Sequence, residues 1–458
     1  MTRQPKPERF RAATSFMACC HSGLMLIGII TGSAAARAEE ASSSLLKAPS
    51  LIKEQHEAAS LQQILDAIEA RAKLLEATTF SPTTRLSVQA TFVVGGNQFG
   101  GSDTSLLHES RKTFGATTFN YDNRMVLDTS FTGKDLLRIR LRSGNFDVST
   151  NSFGGAGPST LSQLEVAFQE GDQPGRLAVN RMYYQFPIGD FMVTLGSRVE
   201  QDTTLAIWPT NYPKESVLDL LSFGGSIGAI NLAVGAGAGL WWQSKGFAIS
   251  ASYIAVNGNE GNPSDGGIGN PQSGSTATAQ VGYSGQNWAI AATYSYLQNG
   301  NGLIPYGTNF TLRSLTNPGN TSGLGIGGYW QPTYTSWIPS INMGWGANFT
   351  SYDRSVNADG LVRVSQAWSV GLQWNDALQQ GNTFGIGMGQ PTFATALVGG
   401  DTPNDGNVVW EWWYKVQLSD NITLTPALFY LSRPLGGDTP EGRSFHQLGG
   451  LIKTSLRF

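Results

Sequence analysis

Arg138, Arg140 and Arg142 alternate with Leu137, Ile139 and Leu141. Successive side chains of a β-strand point to opposite faces, so this spacing puts three guanidinium groups on one wall and three aliphatic side chains on the other. Guanidinium groups bind carboxylates, phosphates and other oxygen-rich groups through a rigid fork of donors. Such a row either attracts anionic or polyhydroxylated solutes, or it forms ion pairs that stiffen the wall. In the preceding stretch, Arg124 and Asp128 also share one face. Residues 200–222, with Glu200, Asp202, Trp208, Lys214, Glu215 and Asp219, form a long charged connection whose expected role is to fold inward and narrow a passage.

Chemistry of other kinds finds little support. His56, His108 and His446 are scattered, with no Ser-His-acid arrangement suggested by their placement. No His-Glu-x-x-His spacing, cysteine cluster or phosphate-binding loop occurs. Asp401 and Asp405 share a polar stretch; paired acids there could bind a cation, but scattered loop carboxylates are usually solvated. The expectation is a protein that is not an enzyme, with no cofactor and no metal site.

The elements that must position these residues are strands. The chain has 458 residues, 40% hydrophobic and 14% charged, with mean hydropathy −0.16, 56 glycines and 48 Trp, Tyr and Phe residues. A helical membrane protein would need runs of about 20 apolar residues, and none occurs. Two-residue alternation recurs from residue 84 onward: Phe247, Ile249, Ala251 and Tyr253 oppose Ala248, Ser250 and Ser252, and Trp288, Ile290, Ala292, Tyr294 and Tyr296 oppose Ala289, Ala291, Thr293 and Ser295. One face suits lipid and the other suits water. A soluble sandwich would carry more Lys and Glu on its outer face.

Short links at 132–135, 187–190, 244–246, 285–287 and 419–421 alternate with long polar stretches at 95–111, 143–175, 200–222, 257–275 and 298–320. That asymmetry, tight turns at one rim and long loops at the other, belongs to outer-membrane barrels. Treating the less regular stretches 341–350, 361–374 and 383–390 as strands gives about 16 in all. A barrel of that number encloses an aqueous channel, whereas one of eight is filled by side chains. On its lipid face each arginine would cost about 2–4 kcal/mol near the midplane, so the Arg138–Arg140–Arg142 row must face the lumen. The last strand places Leu448, Gly450, Ile452, Thr454, Leu456 and Phe458 on one face and Gln447, Gly449, Leu451, Lys453, Ser455 and Arg457 on the other, with Leu451 the exception to its polar side. Trp241, Trp242, Trp330, Trp337, Trp410, Trp412 and Trp413 are expected in the interfacial girdles, and glycines 323–328 at bends.

The fold class is therefore all-β, a transmembrane antiparallel β-barrel over 84–458. It is preceded by a helical or coiled-coil periplasmic segment over 39–83, in which Leu61, Leu65, Ile68, Ala72 and Leu75 make one apolar seam over residues 60–78. That seam suits a helix packed on its own barrel or a short coiled coil between subunits. Residues 1–38 read as an export signal with a basic head at Arg3, Lys6, Arg9 and Arg11, an apolar centre at 24–30 and a small-residue cleavage site at 36–38. Cleavage there would remove Cys19 and Cys20 and leave 25 Lys and Arg against 32 Asp and Glu, a charge of about −7, which disfavours nucleic acid as a partner.

Several stretches carry a family resemblance. They are the run 75–86, where a helix leads into the first strand; Gly133-Lys134-Asp135-Leu136-Leu137-Arg138 with Ser143-Gly144-Asn145-Phe146; Gly381-Asn382 followed by Gly389-Gln390-Pro391; and 411–414 followed by Thr425-Pro426. Together they resemble the cyanobacterial outer-membrane porins of the carbohydrate-selective porin family, some of which are described as iron-uptake porins. The resemblance implies a passive diffusion channel for sugars, inorganic ions or other small hydrophilic solutes, embedded in outer-membrane lipid as a homotrimer. Members commonly carry a peptidoglycan-holding SLH module before the helix. Only about twenty residues separate the signal from the helix here, so the module, and with it attachment to the cell wall, is expected to be missing. The competing expectation is a structural or receptor barrel whose lumen stays shut.

Overall fold

The computed structural model describes residues 83–213, 216–231, 233–299, 303–334 and 337–458, together with Glu69. The expected export signal and, Glu69 excepted, the helix over 60–78 lie outside the described residues. The first eight strands are β1 (Thr84–Gly101), β2 (Thr118–Thr129), β3 (Leu136–Gly144), β4 (Ala178–Ile188), β5 (Phe191–Glu200), β6 (Val234–Ser244), β7 (Phe247–Ala255) and β8 (Ser275–Ser284). The other eight are β9 (Trp288–Gln298), β10 (Gly319–Trp330), β11 (Ser340–Tyr352), β12 (Val362–Asn375), β13 (Thr383–Leu397), β14 (Val408–Ser419), β15 (Ile422–Ser432) and β16 (Phe445–Arg457).

Each strand pairs antiparallel with its sequence neighbours, and β16 returns to β1 to close a barrel of sixteen strands. The register between β1 and β16 runs from Gln89↔Arg457 to Gly101↔Phe445. Phe458 extends it, its N–H donating to Val88 O at 3.0 Å and its carbonyl accepting from Val88 N at 2.8 Å. Closure leaves no strand edge whose N–H and C=O groups would face lipid unpaired. Seven connections of two to nine residues lie at one rim, with both ends of the barrel segment, and eight of nine to 33 residues lie at the other.

The alternation read from the sequence is the alternation of the walls. On β9, Trp288, Ile290, Ala292, Tyr294 and Tyr296 are exposed while Ala289, Ala291, Thr293, Ser295 and Leu297 are buried inside. Several outward aliphatic side chains are more than half exposed, among them Val281, Leu428 and Ile452. An apolar surface of that extent is a liability in water and matches hydrocarbon. No helix among the described residues is long and apolar enough to cross a membrane. Two glutamines on the outer face are satisfied locally: Trp345 Nε1 donates to Gln366 Oε1 at 3.0 Å, and Trp368 Nε1 to Gln390 Oε1 at 2.6 Å.

Three expectations need correction. The first long connection is 102–117 and not 95–111, because β1 continues to Gly101, and it contains a helix, α1 (Thr104–Phe114). Asp103 caps it by accepting from Leu106 N at 2.9 Å, and Leu107 packs against Phe99, Leu435 and Phe445. A second helix, α2 (Asn309–Leu315), sits between β9 and β10. Trp241 and Trp413 do not join a girdle; both face the interior, while Trp242 and Trp412 face outward. Adjacent residues in a strand cannot share a face, so each tryptophan pair is split between the two environments.

The glycines at 323–328 mark no bend. Gly323, Gly325 and Gly327 lie on the inner face of β10 beneath residues 209–229, where a Cβ on Gly325 would meet Ser226 Cβ at 2.7 Å and one on Gly323 would meet Ala229 N at 2.7 Å. Gly344 on β11 is tighter, since a Cβ there would collide with the Gly224 carbonyl. These positions form a flat bed for an internal loop. Overpacking of this kind costs about 1–3 kcal/mol, which predicts that Gly344→Val lifts the loop while the barrel ladder persists. Ser226, 1% exposed, reports it: a Ser226→Cys side chain should label with a water-soluble maleimide on the order of tenfold faster beside Gly344→Val. Equal labelling rates would show that the bed is not needed.

Candidate solute path and its arginine cluster

Two long connections enter the barrel. Residues 145–177, between β3 and β4, and 201–233, between β5 and β6, meet at a bridge between Leu164 and Leu218, with Glu165 N donating to Val217 O at 3.0 Å and Asp219 N to Gln163 O at 3.2 Å. Their apolar side chains Phe153, Leu161, Leu164, Leu218 and Phe223 pack in one cluster with the inward residues Val93, Trp413, Phe429 and Leu451. Phe153 meets Phe429 edge-on at 6.2 Å between ring centroids. Leu451 thus breaks the polar face of β16 because it faces a loop core. The interior is therefore not wet throughout, and the wall formed by β14, β15, β16 and β1 is in part apolar.

The loop 201–233 crosses the interior and is fastened on the far wall by side chains from several strands. Gln201 Nε2 donates to Thr278 Oγ1 at 2.8 Å and Ser295 Oγ at 3.1 Å, while its Oε1 accepts from Asn231 N at 2.7 Å. Asn342 Oδ1 on β11 accepts from Thr210 Oγ1, Asn211 N and Tyr212 N at 3.0, 2.7 and 3.0 Å. Glu411 on β14 accepts from Tyr212 Oη at 2.8 Å and Leu218 N at 2.7 Å, and Trp413 Nε1 donates to Tyr212 Oη at 2.9 Å. Burial, then the adjacent Glu411 carboxylate, hold the Tyr212 phenol well above the usual tyrosine range, so it stays protonated and keeps donating. Lys453 Nζ on β16 donates to Ser216 O at 2.7 Å.

The charged wall is set by strand register. Across β2 and β3 the partners are Arg124↔Arg142, Val126↔Arg140 and Asp128↔Arg138. Arg138 grips Asp128 with two bonds, Nε–Oδ1 at 2.6 Å and Nη2–Oδ2 at 2.5 Å. Asp122 bridges two arginines, at 2.5 Å from Arg142 Nε and 2.6 Å from Arg124 Nε. From the loop 145–177, Glu165 Oε2 reaches Arg124 Nη2 at 3.2 Å, Val166 O accepts from Arg142 Nη2 at 3.2 Å, and the Phe168 ring lies 4.6 Å beneath the Arg142 guanidinium. On β4, Arg181 pairs with Glu200, with Nε–Oε2 at 3.0 Å.

Arg140 differs from its neighbours. Register places Val126 on one side of it and Arg181 on the other, so no acid stands opposite. It is 1% exposed, and none of its three side-chain nitrogens meets an acceptor among the described residues. Ion pairing therefore accounts for Arg124, Arg138 and Arg142 and leaves Arg140 over.

The other singled-out residues sit as follows. Glu200 ends β5 and holds Arg181; Asp202 is buried in the first turn of the loop; Asp219 accepts from Tyr306 Oη at 2.5 Å and from Ser222 Oγ. Lys214 and Glu215 lie outside the described residues. Asp405 is not a solvated loop acid: it accepts from Thr308, Thr311, Ala394 N and Gly437 N, tying three outer connections together. His446 contacts Tyr430, with 5.6 Å between ring centroids.

Gln201, Tyr212, Asn342, Glu411, Lys453, Glu165 and Arg181 were not singled out by sequence. Glu411 had a signal: in Trp410-Glu411-Trp412-Trp413, period-2 alternation puts its carboxylate beside the inward Trp413. Arg181 had less, because a bulge turns Asn180 and Arg181 both inward and breaks the period.

A closed antiparallel barrel with a charged interior and an apolar exterior defines the class as an outer-membrane channel protein. The sequence profile of the carbohydrate-selective porin, OprB family, matches residues 56–444, and the chain belongs to that family. An uncharacterized protein of Synechocystis sp. is 27% identical over 432 residues, covering 87% of this chain and 74% of that one. An uncharacterized protein of Nostoc sp. is 27% identical over 410 residues, covering 82% of this chain and 66% of that one. Among solved structures, the high-pH structure of Pseudomonas putida OprB superposes with a TM-score of 0.53 at 13% identity, covering 86% of this chain and 97% of that one, which is a likeness of fold.

Proposed function

We propose that this chain is a diffusion channel of the outer membrane for small hydrophilic solutes, carbohydrates and inorganic ions, iron among them. The rim of short turns and both ends of the barrel face the periplasm in this reading, and the barrels assemble as a trimer. The observation that carries it is the arginine wall of β2, β3 and β4, a cluster of buried charge inside an apolar shell. Ion pairs compensate most of that charge, and the cost falls on Arg140, whose side-chain nitrogens meet no acceptor among the described residues; an oxygen-rich solute on the path supplies one. The internal loop 201–233 narrows the path and sets the size limit.

A second reading, a structural or receptor barrel with a shut lumen, draws on the apolar cluster that joins the two internal loops to β14, β15, β16 and β1. Liposome swelling decides between them. Reconstituted protein should admit pentoses and hexoses, trisaccharides more slowly, and simple iron salts and amino acids at measurable rates. Absence of swelling for every solute, with barrel folding verified by far-UV circular dichroism, would favour the shut barrel.

A further inference from the structure

We propose that the arginine cluster is a binding site for a small oxyanion, centred on Arg140 and Arg142, and that Glu165 of the loop 145–177 is a tethered carboxylate occupying its edge until that anion arrives. This rests on the reading of the interior as a solute path. Four guanidinium nitrogens, Arg140 Nε, Nη1 and Nη2 and Arg142 Nη1, have no acceptor among the described residues. They belong to residues two apart on one face of β3, so both side chains project from the same side of the wall. Arg181 stands beside Arg140 on β4, and Arg124 beside Arg142 on β2.

The acids nearby are already committed: Asp122 to Arg124 and Arg142, Asp128 to Arg138, Glu200 to Arg181. A buried guanidinium is strongly disfavoured without a counter-charge and acceptors for its N–H groups. A phosphate or carboxylate supplies both, with oxygens spaced for bidentate contact. The loop 145–177 covers the cluster. Its contacts with the cluster are the Glu165 carboxylate on Arg124, the Val166 carbonyl on Arg142 and the Phe168 ring over Arg142. A mobile oxyanion makes the same kinds of contact as Glu165, so it replaces that side chain without new chemistry.

The test uses wild-type protein, Arg140→Gln and Glu165→Gln, with inorganic phosphate and acetate as probes. Two readouts are taken: calorimetric titration in detergent, and reduction of single-channel chloride current in a planar bilayer. Wild type should bind phosphate and lose current as phosphate is added. Arg140→Gln should weaken both effects by on the order of tenfold, and Glu165→Gln should strengthen them. Acetate acting like phosphate would assign carboxylate solutes to the site, and phosphate alone would assign dianions.

Arg140→Gln removes a charge that holds no partner, so its thermal unfolding should occur at or above that of wild type, whereas loss of a structural ion pair would lower it. Phosphate binding and block that are the same in wild type and Arg140→Gln would overturn the proposal. So would a conducting wild type indifferent to phosphate in both readouts. Folded protein that binds phosphate but passes no current would instead refute the solute path and leave the anion site standing.

Discussion

Replacing Arg138, Arg140 and Arg142 together by serine is expected to turn the ion preference of the channel toward cations. The expected size follows from what the substitution leaves behind. Three positive charges go, while Asp122, Asp128 and Glu165 stay; Asp122 and Glu165 keep their ion pairs with Arg124, and Asp128 loses its pair with Arg138. In a tenfold salt gradient an ideally selective channel reads about 59 mV, and a reversal of the wall's net sign should move the potential by roughly 20 mV or more. Removing one partner of a buried pair also costs about 3–5 kcal/mol. Heat-dependent migration on a gel must therefore confirm that the variant barrel is folded. A folded variant with an unchanged reversal potential would demote the row to scaffolding.

The second large effect concerns the internal loop. Gln201, Asn342 and Glu411 fasten residues 201–233 to three different parts of the wall through separate hydrogen bonds. Each neutral bond contributes about 0.5–1.5 kcal/mol and each bond to a charged group about 1.5–3. Changing all three residues to alanine should release the crossing. Single-channel conductance is expected to rise roughly twofold or more, with broader current noise, because the loop then samples positions away from the axis. The single variant Gln201→Ala should do less, since Asn342 and Glu411 still hold the segment. Conductance unchanged in the triple variant would show that the loop is not what limits flow.

Much of this architecture was legible in the sequence because lipid imposes a strict rule. A membrane strand cannot hide a misplaced side chain, so period-2 alternation is sharp in β7, β9 and β16, and tight turns such as 189–190 and 420–421 mark the rim. The pattern is weaker over β10, β11, β12 and β13. There the connections 331–339 and 353–361 are both nine residues long, which erases the contrast between the rims. Inward glycines also empty the inner face of β10 of the polar residues that would identify it.

The arginine row of β3 was visible because its three members share one uninterrupted strand. Its partners were not. Glu165 comes from a connection with no periodicity, and whether Arg140 faces an acid depends on β2 and β4 register, which composition does not encode. The loop fastenings escaped for a related reason. Asn342, Glu411 and Lys453 lie on strands more than a hundred residues from the loop they hold, each an ordinary inward polar residue until the loop is placed against it. An apolar inward residue such as Leu451 reads as an error in the pattern until the loop core opposite is known.

Single-channel recording in a planar bilayer tests the central claim, that this barrel conducts water-borne solutes through its charged interior. Purified wild-type protein should give steady, ohmic steps of uniform size, modest for a barrel of sixteen strands because two internal loops share the lumen. A membrane that stays silent, with barrel folding verified in the same preparation, would contradict it.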